Sequence, residues 1–131
     1  MSAAAAPWPT ELRLKRPEKL LEVSFDDGRR FALAAEYLRV ESPSAEVQGH
    51  GPGQKTLVPG RAHVAIIGLE PVGNYAVRII FDDLHDTGIY SWAYLYQLGV
   101  ERERRWRDYV EALAAHGLSR EPDRRPAQPR A

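Results

Sequence analysis

The residues best equipped for chemistry fall in one short acidic stretch, Asp82-Asp83-Leu84-His85-Asp86, followed by Thr87-Gly88-Ile89-Tyr90-Ser91-Trp92. An imidazole between carboxylates offers the nitrogen and oxygen donors that iron(II), manganese or zinc accept. Adjacent His85 and Asp86 do not supply the spaced ligands of a two-His, one-carboxylate facial triad. Three readings of the turn stay open: capping and turn formation, a weak metal site, and a polar patch facing a partner. The other histidines, His50, His63 and His116, show no ligand spacing, although His116 suits the negative end of a helix dipole. Contact candidates are therefore His50 in a glycine-rich loop and Asp83, His85, Asp86 and Tyr90 around the acidic turn.

Other chemistries find less support. With no cysteine in 131 residues, disulfides, thiolate zinc sites, iron–sulfur ligation by the chain's own sulfur and cysteine nucleophiles are all excluded. Residues 49–56, GHGPGQKT, nearly spell a phosphate-binding loop. Gln54 stands in the second glycine's place, and Leu57-Val58-Pro59 cannot begin the helix whose N-terminus would face a phosphate. Ser24, Ser42, Ser44, Ser91 and Ser119 lack a G-x-S-x-G setting. No catalytic constellation emerges, so an enzyme is not expected. Lys plus Arg and Asp plus Glu are 18 each, leaving no net field to recruit nucleic acid or an acidic membrane. No apolar run approaches the ~20 residues of a membrane helix, and the first residues lack the pattern of a secretory leader. A cytoplasmic protein is expected.

The elements that must position the acidic turn read as follows. Leu12 and Leu14 alternate with Arg13 and Lys15 as in a half-buried strand. Residues 20–25 and 31–33 form a hairpin around Asp26-Asp27-Gly28, and 34–40 favour a short helix. Residues 45–48 and 55–58 read as short strands, 63–69 as a central strand and 75–81 as its partner, with Arg78 solvated or aimed at a carboxylate. A helix starts near Gly88, capped by Asp86 or Thr87 and ended by Gly99 at C′. A second runs from Glu101 to Gly117. The predicted core contains Phe81, Ile89, Trp92, Leu95, Tyr96 and Trp106. The fold class is α+β: a small, mainly antiparallel sheet built from hairpins and packed against one or two C-terminal helices. Residues 11–117 form the single domain, between a mobile tail (1–10) and a disordered one (118–131).

Two longer patterns complete the reading. Phe25-Asp26-Asp27 is echoed by Phe81-Asp82-Asp83, and Tyr37-Leu38 by Tyr94-Leu95, each copy reading strand, acidic turn, helix. Chance reuse of Asp and Gly in turns and a true internal repeat both remain open. The strings VSFDDGRRFALAAEYLRVESPSAEVQGHGPGQ and FDDLHDTGIYSWAYLYQLG resemble the bacterial DUF971 family, also called the gamma-butyrobetaine hydroxylase-like N-terminal domain, over residues 20–105. The resemblance implies a compact α+β domain. It occurs alone, ahead of 2-oxoglutarate-dependent oxygenase domains, or behind P-loop scaffolds of iron–sulfur cluster assembly, and does not carry the main chemistry. That implies an accessory interaction module linked to metal-cofactor biology. The alternative is a metal- or small-ligand-binding domain that uses the His85 turn with iron or zinc. Hydroxylase relatives hold zinc through three cysteines and a histidine matching His85, but this chain lacks the cysteines. Family members usually carry glycine where Leu84 stands, so a differently shaped turn is expected.

Overall fold

The computed structural model describes residues 7–49 and 53–122. Three strands, β1 (Pro9–Lys15), β2 (Leu20–Phe25) and β3 (Arg30–Ala34), form an antiparallel meander in that order. In β2 the period of two is complete, with Leu21, Val23 and Phe25 facing the core between half-buried neighbours. The short helices α1 (Ala35–Val40) and α2 (Ala45–Gln48) follow. A second meander, β4 (Ile66–Val72), β5 (Ala76–Phe81) and β6 (Ile89–Ser91), leads into α3 (Trp92–Val100) and α4 (Arg102–Ala115). The class is α+β, as expected, but with two three-stranded sheets in place of one.

Several local readings change. Residues 45–48 are helical because the Ser44 hydroxyl accepts the Glu46 amide at 3.1 Å and nucleates a turn. Residues 55–58 form no regular element. The central strand of the second sheet is β5, with β4 at the edge. Residues 89–91 pair with β5 as a strand, which delays α3 to Trp92 with Ser91 as its cap. Strand alternation then turns Ile89 outward, 46% exposed, instead of into the predicted core. Gly99 lies inside α3 rather than ending it. A Cβ there would sit 2.3 Å from Phe31 Cγ, so the glycine lets helix and sheet approach. Gly117 does end α4: its amide bonds the Ala114 carbonyl and the Leu118 amide the Leu113 carbonyl, a Schellman pair.

The main core gathers Leu21, Val23 and Leu33 from the first sheet, Ile79 and Phe81 from the second, and Leu38, Leu95 and Leu98 from the helices. Each such side chain contributes about 1.5–3 kcal/mol of burial. Of the predicted core, Phe81 and Leu95 are fully buried, and Trp92, Tyr96 and Trp106 pack half-buried against it. A smaller cluster under α4 contains Val40, Val47, Val58, Tyr109 and Leu113. Both ends extend beyond the expected domain limits. Pro9 is already in β1, and residues 118–122 pack on the body, with the Gly60 and Ala62 amides bonding the Ser119 and Arg120 carbonyls at 2.9 Å. Residues 1–6 and 123–131, the remainder of the two predicted tails, lie outside the described residues.

The echo seen in the sequence is an approximate two-fold arrangement of contacts. Tyr37 of α1 donates its hydroxyl to the Leu98 carbonyl of α3 at 2.7 Å, and Tyr94 of α3 donates to the Glu41 carbonyl after α1 at 2.5 Å. Each hydroxyl reaches the carbonyl four residues past the other tyrosine, among the helix-end acceptors that lack an intrahelical partner. Burial pushes both hydroxyls up, that of Tyr94 to about 12, so both remain protonated donors near neutral pH.

Candidate functional site

The two acidic turns share one hydrogen-bond scheme. In the first, Gly28 N donates to Phe25 O, Phe25 N to Arg29 O, and Arg29 N to the Asp27 carboxylate at 2.9 Å. In the second, Leu84 N donates to Phe81 O, Phe81 N to His85 O, and His85 N to the Asp83 carboxylate at 3.1 Å. Asp26 and Asp82 likewise each exchange two bonds with the backbone of the residue just ahead of an earlier strand, Trp8 before β1 and Ala65 before β4. The backbone at Gly28 has φ +90° and that at Leu84 φ +73°. The second turn thus shares the left-handed backbone of the Gly28 turn although its residue carries a Cβ. A left-handed backbone costs a residue with a Cβ about 1–2 kcal/mol. Leu84 offsets none of this by packing, since it is 88% exposed.

His85 is buried at 6% exposure. Its Nε2 lies 2.9 Å from Ser42 Oγ and its Nδ1 3.1 Å from a Glu46 carboxylate oxygen. A carboxylate only accepts, so we assign the ring proton to Nδ1, with Nε2 accepting from the Ser42 hydroxyl. Burial, and then the nearby Arg39 charge, hold the imidazole below its ordinary pKa and favour the neutral ring. Ser44 caps α2 and also meets the Thr87 hydroxyl at 2.8 Å. A Cβ on Gly88 would fall 2.6 Å from Ser42 Oγ, so only glycine lets the turn seat against this segment. The string SPSAE is therefore the cradle of the acidic turn.

Asp83 is gripped from the other side. Its Oδ2 lies 2.8 Å from Arg39 Nε and 2.8 Å from Arg61 Nε. Burial alone would raise its pKa, but the His85 amide and the two guanidinium groups outweigh this and hold it below the usual carboxylate range. Asp86 stays at the surface, where Arg78 bonds its carbonyl at 2.9 Å and also pairs with Glu70, which settles the role of the lone charge in β5.

Of the predicted contact residues, Asp83, His85 and Asp86 do come together, but His85 faces inward. Tyr90 is fully buried, its hydroxyl on the Leu38 carbonyl at 2.5 Å, because it alternates with Ile89 on a strand. His50 lies outside the described residues. Arg39, Ser42, Ser44, Glu46 and Arg61 were not singled out in advance as site residues, although SPSAE was among the strings that carried the family resemblance. Zinc does not fit the residues present. No cysteine exists, both imidazole nitrogens are engaged, and Asp83 is neutralised by two arginines. Among the described residues no group of three or more potential ligands gathers. No described helix is long and apolar enough to cross a membrane.

Residues 12–96 match the family described as gamma-butyrobetaine hydroxylase-like, N-terminal. Two proteins solved by solution NMR are similar throughout. One is 39% identical with a TM-score of 0.80 over 97% of this chain and 100% of its own. The other is 46% identical with a TM-score of 0.78 over 100% of this chain and 98% of its own. A crystal structure of a DUF971 family protein of unknown function from Acidithiobacillus ferrooxidans is 38% identical, with a TM-score of 0.59 over 70% of this chain and 91% of its own. No curated protein matches the chain.

Proposed function

The chain belongs to the gamma-butyrobetaine hydroxylase-like N-terminal family, also called DUF971, and from that premise we propose that it is a cytoplasmic, non-catalytic accessory module of metal-cofactor biology that docks another protein through its 82–88 turn. The observation that carries the reading is Leu84, an apolar side chain held 88% in water on a left-handed backbone where the equivalent turn has Gly28. Strain of this kind persists only where the surroundings enforce it and is concentrated at functional positions. Here the enforcement comes from both flanks, with Asp83 clamped by Arg39 and Arg61 and His85 seated on Ser42 and Glu46. The turn is held on both flanks while its exposed tip is apolar, an arrangement that lowers the ordering cost of docking.

The partner class follows from where related domains occur, behind P-loop scaffolds of iron–sulfur cluster assembly. A photo-crosslinking residue at position 84 tests this with the purified P-loop scaffold of the same organism. A crosslink that forms there, and not when the probe replaces exposed Val110 on α4, is the expected result. Equal labelling at both positions, or none, would overturn the reading.

A further inference from the structure

We propose that the backbone at Gly60–Ala62, the Glu36 carboxylate and the Trp106 ring form a groove for an extended, arginine-bearing peptide of a partner protein, occupied here in cis by residues 118–122. The receptor side belongs to the body of the domain. Glu36 lies in the first turn of α1 with its side chain only 7% exposed, and among the described residues Arg120 alone pairs with it. Both carboxylate oxygens are used, Oε2 by Arg120 Nε at 2.8 Å and Oε1 by Nη2 at 2.7 Å, a planar fork that arginine fits and lysine cannot reproduce. The same guanidinium carbon sits 5.2 Å from the centre of the Trp106 ring. A carboxylate this buried is costly without a counter-ion, so Glu36 calls for an arginine, and its occupant here arrives from 84 residues away in the chain.

The groove also reads backbone. The Gly60 and Ala62 amides donate to the Ser119 and Arg120 carbonyls, main-chain pairing that any extended segment can supply, while His63 Nε2 meets the Glu121 carboxylate at 2.9 Å. The strap leaves room beside it. Open surface clefts of about 540 and 250 Å³ flank it, the first lined by Pro59 and Arg61 together with the strap's own Leu118 and the second reaching Asp82 and Asp83. The occupant therefore presents an arginine with an acidic residue after it, and a partner segment of that chemistry competes with the strap. This goes beyond the docking role of Leu84 and stands or falls without it.

The test uses a fluorescently labelled peptide of sequence GLSREPD and the full chain, wild type and Arg120→Ala, read by anisotropy. Because a tethered competitor acts at millimolar effective concentration, release of the strap is expected to tighten binding at least ten-fold over wild type. Changing the peptide's arginine to citrulline, or adding Glu36→Gln to the Arg120→Ala chain, is expected to weaken binding at least ten-fold. Should Arg120→Ala fail to fold, Arg120→Lys, which keeps the charge and loses the fork, must give the same ranking. Absence of binding to the released chain, or binding indifferent to citrulline and to Glu36→Gln, overturns the proposal. So does a dimer of the wild-type chain that Arg120→Ala abolishes, which would put a second copy's strap in the groove.

Discussion

At the scale of single residues, the sharpest consequences concern Leu84 and His85. Leu84→Gly removes a left-handed strain of about 1–2 kcal/mol, adds about 0.5–1 kcal/mol of unfolded-chain entropy, and loses no buried surface. The strain is the larger quantity, so the variant is expected to be more stable by about 0.5–1 kcal/mol in urea unfolding while losing its partner contact. A less stable variant would show that Leu84 packs. His85 makes a pH prediction. Its pKa is lowered in the fold relative to the unfolded chain, so below the ordinary histidine value the unfolded state binds the extra proton. The stabilisation is complete above that value and drains away as pH falls toward the depressed one. Melting temperature should fall between pH 7 and pH 5 more steeply for wild type than for His85→Gln, and parallel curves would refute the assignment. The sequence pointed to His85 but not to its burial. Nothing in DDLHD says that Ser42, 43 residues earlier, closes over the ring.

At the scale of elements, the legible parts were those whose local signals agreed with their neighbours. The hairpin at 20–34 and the stop at Gly117 needed only alternation and a glycine. The stretch 89–91 misled because Ile89, Trp92 and Tyr96 mimic helical spacing, whereas pairing with β5 is a tertiary fact. The helix at 45–48 was announced by Ser44 ahead of Ala45-Glu46, a cap signal that the β-branched Val47 obscured. Gly99 looked like a terminator but is a contact. Gly99→Ala should gain up to about 1 kcal/mol of helix propensity and lose more by driving a Cβ into the Phe31 ring. A net loss of about 1–2 kcal/mol by thermal or urea unfolding is expected, and any gain would mean the ring yields freely. Tyr37→Phe and Tyr94→Phe should each cost about 1 kcal/mol, since each strands a carbonyl at a helix end. Unchanged midpoints would show that water replaces the hydroxyls.

At the scale of the whole molecule, two strand–turn–strand–helix units embrace, each helix reaching across to the other unit's turn. Tyr96 of α3 bonds Asp27 at 2.6 Å, and Arg39 of α1 bonds Asp83 at 2.8 Å. The repeated Phe-Asp-Asp was visible in the sequence, but the crossing that joins the units depends on which helix packs on which sheet. The symmetry fails at Leu84 for Gly28 and at buried His85 for exposed Arg29, and the proposed docking role rests on that difference, beside the Ser42–Glu46 cradle of the second turn. The central claim is that this turn docks a partner. Its most direct measurement is a titration of the ¹⁵N-labelled full chain with the purified P-loop iron–sulfur scaffold of the same organism, followed by NMR. Amide shifts centred on Asp83, Leu84 and His85, lost in Leu84→Asp, are the predicted result. No shifts at saturating scaffold, or shifts that leave this turn untouched, would contradict the account.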